Sequence, residues 1–462
     1  MRKFKGQLTF SPSGSVQEIW TISYPLIFSM FSINFMIFFD RFILAQYNIQ
    51  AMNAAVVASL VFNIFQLGMV GIASISEVFV GQYNGAKKYK QIGEPIWQMI
   101  WFSLMTAFLF IPLGVFGGPF FITHPEYQEE GIAFFRSLMF FGPAFPLVAA
   151  LSSFFIGRGQ VKLVMVTAIL SNIVNILLDY ALIFGVNGIF PALGTNGAAI
   201  ATGTAQVLQA GLLLFYFLLP KYRAEFGTSL WRFKAKLFWQ TFRVGVPNAV
   251  ASIVELSAWG MLAQVLASVS EAHITLYSIG DSLFSLFVFG FLGLQKGITT
   301  VSANYIGAEK ESRVSLCLLS GVKIIIVMML ILIIPLFFFP KLLVSQFLTS
   351  TPAAIALEVM LYAETAMHWL WLYCFLEALV FLVSGVLTAL GDTKYVMLMN
   401  GFNAWMVSVL PTFLAVNYWD STPDKVWSLS AFYGGVSALS LYLRYRRRRA
   451  TAHVPLHVLT AS

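Results

Sequence analysis

The sequence predicts an all-α, polytopic membrane protein in which about twelve transmembrane helices form two six-helix bundles related by a pseudo-twofold axis along the membrane normal. Its 462 residues are 58% hydrophobic, 16% aromatic and only 10% charged, and the mean hydropathy is +0.79. Soluble domains carry roughly 25% charged residues, so too few charges are present to cover a surface that faces water. This composition excludes a soluble enzyme, a secreted disulfide scaffold and a disordered tail.

The helices are indicated by apolar runs bounded by glycine, proline and charged clusters. A membrane-crossing helix needs about 20 apolar residues, and the predicted spans are 18–43, 52–82, 95–120, 131–156, 163–186, 196–219, 238–266, 273–304, 314–339, 356–388, 395–416 and 427–445. The first run is longer than a signal-peptide core and has no small-residue cleavage site, so we expect it to remain as the first helix. Cys317 and Cys374 both lie in apolar runs, and we expect them to be small buried hydrophobes.

The positions of the basic residues predict the orientation in the membrane. The formal net charge is +8, and basic residues concentrate in every second connection, at 1–5, 87–90, 158–162, 221–243, 310–313, 394 and 444–449. The alternate connections hold only Lys341 and Lys425 and carry acids such as Glu129. The positive-inside rule therefore predicts that both termini are cytoplasmic. The arginine run at 444–449 suits lipid headgroups, and we expect no nucleic-acid partner.

An internal repeat divides the chain into two halves. The shift that brings Pro25 onto Pro247, which we call the first offset, also aligns Gly68 with Gly290, Gly71 with Gly293, Tyr83 with Tyr305, Gly85 with Gly307, Ala86 with Ala308 and Lys88 with Lys310. A slightly longer shift, the second offset, aligns Gly159 with Gly391, Lys162 with Lys394, Val164 with Val396 and Met165 with Met397. We therefore expect an N-terminal six-helix lobe at 1–219, a cytoplasmic linker at 220–236, and a C-terminal six-helix lobe with a basic tail at 237–462. Two such lobes, entering the membrane from the same side, favour a secondary transporter that exposes a central cavity alternately to each side.

Acidic residues of the first half lie inside predicted spans, where a charged side chain costs at least roughly 2.5 kcal/mol and is usually paired, hydrated or functional. Asp40 is on the first helix, while Asn175 and Asp179 are four residues apart on the fifth and share a face. Thr202 adds a hydroxyl on the sixth helix. These hard oxygen ligands suit Na⁺ or a shared proton. Two alternatives remain open: Asn175 and Asp179 only join helices by hydrogen bonds, or Asp40 pairs with the adjacent Arg41 at the lipid headgroups.

A second set of polar residues lies in the second half. Glu255 is on the seventh helix, and Tyr373 and Glu377 are four residues apart on the tenth. Both carboxylates lie well inside apolar runs, which predicts a second cation site where a proton could exchange. The alternative is a carboxylic acid kept neutral by a neighbouring group.

Asp281 and Lys296, both on the eighth helix, fit neither set. About four helical turns separate them, too far for a direct pair, so each is expected to line a cavity or to pair with another helix. The sequence contains no glycine-rich loop followed by Lys and Ser or Thr of the ATPase type. We expect no cofactor, and no metal ion apart from Na⁺.

Several motifs resemble those of the multidrug and toxic compound extrusion (MATE) family, and of its NorM-like members in particular. They are the paired half-ends VGQYNGAKK and SANYIGAEK, the segment NIVNILLDYALIFG with GTNGAAIAT after it, and GVLTALGDTK after the tenth helix. The resemblance extends from about Glu18 to Arg444. It implies twelve helices in two lobes, whereas the flippases of the same superfamily, which move lipid-linked oligosaccharides, often have more.

The resemblance also implies roles for individual residues. Four positions match those at which members bind Na⁺ or a proton in the first lobe: Asp40, Asn175, Asp179 and Thr202. Three match the second-lobe cation site of NorM-like members: Glu255, Tyr373 and Glu377, of which the last stands where Asp is common. Arg41 and Thr388 depart from the family pattern, since a small residue and an Arg, respectively, are typical there.

The expected function is therefore that of a secondary active antiporter, not an enzyme, which exports amphipathic or cationic organic compounds in exchange for Na⁺ or H⁺. We expect a monomer embedded in the lipid of the plasma membrane. The alternative is a lipid or lipid-linked oligosaccharide flippase, although the membrane interior holds more acids than bases, with Lys296 and Lys323 the main exceptions. The substrate, the choice of coupling ion and its stoichiometry do not follow from the sequence.

Overall fold

The computed structural model describes residues 8–450 except 10, 124, 126–127, 187–190, 349–350 and 420. The basic residues at 1–5 and the tail from 451 lie outside the described residues. In the described part, twelve helices are long and apolar enough to cross a membrane. We label them α1 Val16–Tyr47, α2 Ile49–Gly85, α3 Tyr89–Phe121, α4 Gln128–Ile156, α5 Val161–Phe184, α6 Gly194–Phe217, α7 Ala235–Val269, α8 Glu271–Gly307, α9 Glu311–Phe338, α10 Ala353–Ala389, α11 Thr393–Tyr418 and α12 Lys425–Arg449. The predicted all-α membrane architecture is confirmed.

Several helices begin before the apolar runs because a polar residue caps them. The Ser15 side chain accepts the Glu18 N–H at 3.2 Å at the start of α1, and the Ser270 side chain accepts the His273 N–H at 3.2 Å at the start of α8. Local breaks in the helices were not predicted by the apolar pattern. Three spans contain a π-helical segment, at Leu113–Gly117 in α3, Ile334–Phe338 in α9 and Ala404–Val409 in α11.

The two halves form two lobes whose contacts repeat with the internal symmetry. The first helix of each lobe lies against the second helix of the other, so that α1 contacts α8 and α7 contacts α2. The backbone repeats as well: Lys87 and Glu309, separated by the first offset, have left-handed φ angles of 59° and 57°. Gly159 and Gly391, separated by the second offset, have φ angles of 71° and 75°. The repeat in the sequence therefore corresponds to a repeat of the fold.

Both ends of the described chain lie on one side of the membrane, which we call the terminal side. Ser320 in α9 donates a hydrogen bond to the Gly14 carbonyl at 2.6 Å, and Ser315 lies 3.0 Å from the Tyr445 hydroxyl in α12. The opposite side is called the outer side below. The terminal side also contains the basic connections between the helices.

The lobes are closed against each other at the terminal side by two symmetric glycine contacts. A Cβ atom on Gly85 of α2 would lie 1.9 Å from the Asn304 carbonyl oxygen of α8. A Cβ atom on Gly307 of α8 would lie 2.0 Å from the Gln82 carbonyl oxygen of α2. The first offset converts one contact into the other. Only glycine permits this approach of two backbones, so these residues define a seam between the lobes.

Hydrogen bonds between the lobes reinforce this seam. The Asn84 amide donates to Asn304 Oδ1 at 2.7 Å, and the Gln82 amide donates to the Ala389 carbonyl at the end of α10 at 2.9 Å. Near the start of α1, the buried Glu18 carboxylate accepts from the Tyr305 hydroxyl at 2.6 Å. Because these groups are out of water, each bond would be costly to leave unmade. The structure therefore represents a state that is closed at the terminal side.

A salt bridge joins α12 to the connection between α10 and α11 at the terminal side. Asp392 Oδ2 lies 2.7 Å from Arg444 Nε and 2.9 Å from Arg448 Nε. Partial burial would raise the pKa of Asp392, but the hydrogen bonds from the two guanidinium groups outweigh this effect and hold it below its usual range. Arg444 and Arg448 therefore have a structural partner in addition to any lipid headgroup.

The segment 220–236, which was predicted as the linker, lies against the first lobe. Its helix Pro220–Phe226 covers the side chain of Arg158, whose guanidinium lies 4.8 Å and 3.7 Å from the ring centres of Tyr222 and Phe226. Farther along, Lys234 forms a 2.7 Å salt bridge with Glu94 at the start of α3. These contacts attach the segment to the first lobe.

The seam predicts the effect of adding one methyl group. Gly85→Ala and Gly307→Ala should prevent full closure, because overpacking costs about 1–3 kcal/mol. A reporter cysteine, Ser23→Cys, lies between the lobes, since the Ser23 side chain of α1 meets Gly297 of α8, and the reporter protein with both seam glycines intact gives the baseline rate. We expect each alanine variant to raise the labelling rate of this cysteine by a water-soluble maleimide by roughly tenfold.

Gly211→Ala and Gly260→Ala are matched controls, because an added Cβ would meet nothing within 4 Å. The native Cys317 and Cys374 are buried, and the protein without the reporter gives their background. Unchanged labelling in both seam variants would contradict a closed seam at these glycines.

Candidate functional site

The four polar residues predicted as a cation site in the first lobe lie together in the structure. Asp40 comes from α1, Asn175 and Asp179 from one face of α5, and Thr202 from α6. With the Asn175 amide nitrogen directed at Asp40, Asn175 donates to Asp40 Oδ1 at 2.9 Å and accepts the Thr202 N–H at 3.2 Å. The Thr202 hydroxyl lies 3.5 Å from Asp40 Oδ2. Three helices thus direct oxygen atoms towards one point.

Asp179 is the most constrained member of this group. It is fully buried, and neither of its carboxylate oxygens has a hydrogen-bond donor among the described residues. The Asp40 carboxylate lies within hydrogen-bonding reach of it. Two facing carboxylates repel each other unless a proton or a cation lies between them. The geometry therefore suits a bound proton or a small cation with oxygen ligands.

The alternative partner of Asp40 does not bind it in this structure. The Arg41 side chain is exposed, and the ion pairs of the described residues do not include one between Asp40 and Arg41. Successive side chains on a helix point about 100° apart, and here Asp40 turns towards α5 and α6. Arg41 contributes only a longer-range attraction.

A cavity of about 310 Å³ lies beside this cluster in the first lobe. Its lining extends along α1 from Leu26 to Leu44, about 27 Å at 1.5 Å per residue. Most of the lining is aliphatic or aromatic, and it contains four charged residues: Asp40 and Arg41 towards the outer side, and Glu77 and Lys296 towards the terminal side. Thr202 also lines the cavity, while Asn175 and Asp179 are buried behind it. An apolar cavity with a few charged groups suits an amphipathic organic molecule.

The residues predicted in the second lobe also lie close together. Glu377 of α10 is buried, and its Oε2 has no hydrogen-bond partner among the described residues. Glu255 of α7 is close enough to repel it. Tyr373, one turn before Glu377, is buried with its ring 5.1 Å from that of Phe284 and 5.7 Å from that of Trp427. A second pair of carboxylates thus lies within one apolar bundle.

Three buried or partly buried polar residues of the bundles were missed by the sequence analysis. Asn400 of α11 lies beside Glu255, and the buried Tyr433 of α12 is close to both second-lobe acids. Glu77 of α2 is buried where the lobes meet. A polar residue inside a predicted span was the available signal for all three, but neither Asn400 nor Tyr433 carries a charge, and Glu77 lies near the end of its apolar run.

The two residues predicted as possible cavity groups have different positions. Lys296 lines the first-lobe cavity, although it belongs to α8 of the second lobe. Asp281 is exposed and lies outside this lining, near Tyr277. Among the described residues, no group of three or more His, Cys, Asp or Glu side chains is arranged to hold a metal ion.

The chain is similar to known proteins over most of its length. The family model of MatE matches residues 25–181 and 247–414, which are the two halves of the repeat. A probable multidrug resistance protein NorM of Thermotoga maritima is 24% identical over 82% of this chain and 81% of its own. Another of that name, from Listeria monocytogenes serotype 4b, is 24% identical over 96% of both chains.

A solved structure shows the same fold. The outward-facing conformation of a multidrug resistance MATE family transporter superposes with a TM-score of 0.82, at 17% identity, over 97% of this chain and 98% of its own. The likeness therefore extends over nearly the whole of both chains. The family match, covering both lobes, shows that the chain belongs to the MatE family, as a NorM-like transporter.

Proposed function

We propose that the protein is a secondary active antiporter that exports amphipathic or cationic organic compounds in exchange for Na⁺ or H⁺. The names of its NorM relatives support multidrug export. The apolar cavity supports a substrate with a hydrophobic body. Transport would proceed by alternating access, with the lobes moving about the seam.

One observation carries this proposal: Asp179 is a fully buried carboxyl that faces Asp40 and has no donor among the described residues. In an apolar bundle, two such groups must share a proton or bind a cation. Loss of that cation leaves repulsion between α1 and α5, and α1 is also the helix that contacts α8 across the seam. Cation binding would therefore act on the lobe interface through α1, which belongs to both the site and the interface.

Coupling requires only that the cation and the organic substrate bind the two states of the protein with different affinity. Since the terminal side is closed by the seam, we propose that the cavity of this state opens to the outer side. A cation arriving from the outer side would enter the Asp40 and Asp179 site and displace a cationic substrate held by the same charge. An inward cation gradient would then drive export.

We propose that Glu255, Tyr373 and Glu377 form a second cation site of the same kind. The unpartnered Oε2 of Glu377 supports this role, and the Asn400 amide beside Glu255 offers a further oxygen or a hydrogen bond. Two sites would allow each lobe to respond to the gradient. We also propose that the protein is a monomer in the plasma membrane, with lobes at 1–219 and 237–462, a cytoplasmic linker at 220–236 and both termini cytoplasmic.

The charges of the cavity favour an exporter over a flippase. A flippase for a pyrophosphate-linked sugar needs an excess of basic groups around its anionic substrate. The described lining of the first-lobe cavity has two acids and two bases: Asp40, Glu77, Arg41 and Lys296. This balance suits a cationic or zwitterionic compound better than a pyrophosphate.

The test is gradient-driven efflux from proteoliposomes. The parent protein should extrude a cationic dye when a sodium gradient or, in a separate experiment, a proton gradient is imposed, and the effective gradient identifies the coupling ion. Asp179→Asn should reduce this extrusion by at least roughly tenfold, because one carboxylate no longer needs a cation to offset repulsion. Asp40→Asn should have the same effect.

Tyr180→Phe is the control, since Tyr180 follows Asp179 on α5 but is 65% exposed and points away from the cluster. Thermal unfolding should show that the Asp179→Asn protein is folded. Full extrusion by both carboxylate variants would contradict the role of this site, and headgroup translocation by the parent without dye extrusion would favour the flippase.

The second-lobe site predicts that two substitutions on α10 have different effects on dye extrusion. Glu377→Gln should lower dye extrusion several-fold, because it removes the charge that faces Glu255. Glu364→Gln is its matched control: Glu364 is also on α10, but it is exposed and forms a 3.4 Å surface salt bridge with Lys341, a type of contact worth little energy. Equal extrusion by the two variants would leave the first lobe as the only coupling site.

A further inference from the structure

Glu77 is a buried acid at the terminal end of the cavity, where the two lobes meet. It belongs to α2 of the first lobe and is 5% exposed. Its Oε1 accepts a hydrogen bond from the Thr300 hydroxyl of α8, in the second lobe, at 2.6 Å. Its hydrogen bond therefore joins the two lobes, and the Glu77 side chain also lines the cavity.

Lys296 is the cation that offsets the charge of Glu77. It lies one turn before Thr300 on α8, lines the same end of the cavity and attracts the Glu77 carboxylate. The ion pairs of the described residues do not include a contact within 4 Å between them. The attraction is therefore one between nearby charges, and the lysine is partly exposed to the cavity.

The internal symmetry does not account for this pair. The first offset relates Glu77 to Thr299 and Lys296 to Ser74, so neither charge is repeated at the matching position. The seam itself is symmetric, with Gly85 and Gly307 exchanged by the same offset. The glycine contacts that close the seam therefore do not involve the acid at position 77, and an acid buried in a membrane bundle is usually functional.

We propose that Glu77 binds the charged group of a cationic substrate when the terminal side is open, and that Lys296 replaces the substrate beside Glu77 when that side closes. This inference rests on the proposed function, because it names the substrate class and a second acidic position in the export cavity.

Opening of the terminal side would separate Glu77 from its present partners. Thr300 and Lys296 both belong to α8 of the second lobe, so they would move away with that lobe. Arg41, the other base of the cavity lining, is near the outer end of α1. A carboxylate would then face the terminal side without a nearby cation. An organic cation can fill this position, and its apolar body can contact the aliphatic and aromatic walls.

Closing of the seam would return Lys296 to Glu77 and compete with the bound substrate. The tethered ammonium has a high effective concentration beside the carboxylate. A displaced organic cation would still find Asp40 in the same cavity, towards the outer side. Lys296 thus gives the substrate a direction of movement away from the terminal side.

Binding of ethidium to the full-length protein in lipid nanodiscs tests this proposal, with fluorescence anisotropy as the readout. Glu77→Gln should weaken ethidium binding by roughly tenfold, whereas Lys296→Gln should strengthen it because a competing cation is lost. The double variant should bind as weakly as Glu77→Gln alone. Triphenylphosphine oxide is an uncharged amphipathic competitor. Its inhibition constant, calculated with each protein's own ethidium affinity, should be the same for the parent and for all variants, because it carries no charge for Glu77 to bind.

Glu18→Gln is the matched control. Glu18 is also a buried acid that accepts a 2.6 Å hydrogen bond across the seam, from Tyr305, but it does not line the cavity. Ethidium affinity should be unchanged in this variant. Equal weakening by Glu18→Gln and Glu77→Gln, or weakening by Lys296→Gln, would show a purely structural role and overturn the proposal. Binding needs no ion gradient, so failure of the parent to extrude dye would count against the proposed function and not against this site.

Discussion

The repulsion between two carboxylates inside an apolar bundle is the constraint on which the account of this protein depends. Asp179 is fully buried and faces Asp40, and no other described group donates a hydrogen bond to it. Water and counter-ions would reduce this repulsion at a protein surface, but here only a proton or a bound cation can do so. In the proposed mechanism, the occupancy of this site controls the packing of α1, which also forms part of the lobe interface.

The fold combines a symmetric frame with asymmetric charges. Gly85 and Gly307 make equivalent backbone contacts at the seam, and this symmetry provides a surface about which two similar lobes can move. The charged residues do not follow it: Asp40 is related by the first offset to Leu262, and Glu77 to Thr299. The two lobes therefore share a backbone frame but differ in the positions of their buried acids.

Much of the fold and part of the site were predictable because their signals are local. Apolar runs gave the twelve spans, and the glycines at 85 and 307 marked equivalent positions of the repeat before their contact was known. Asn175 and Asp179 could be placed on one face from their spacing alone. The pairing of Glu77 with Thr300 could not, because it depends on the rotation of two helices whose residues are 223 positions apart. For the same reason, the approach of Asn400 to Glu255 could not be predicted from the sequence.

The most direct test of the central claim is a distance measurement between the outer ends of the lobes. Spin labels at Ile49→Cys and Glu271→Cys would occupy the first residues of α2 and α8, which are exposed and symmetry-related. Double electron–electron resonance should show that added Na⁺ or a lower pH changes the distribution of distances between the two labels. The change should disappear when Asp40→Asn and Asp179→Asn are introduced together. A distribution that responds to neither cation, or that responds equally without the two carboxylates, would contradict the claim that this pair controls the movement of the lobes.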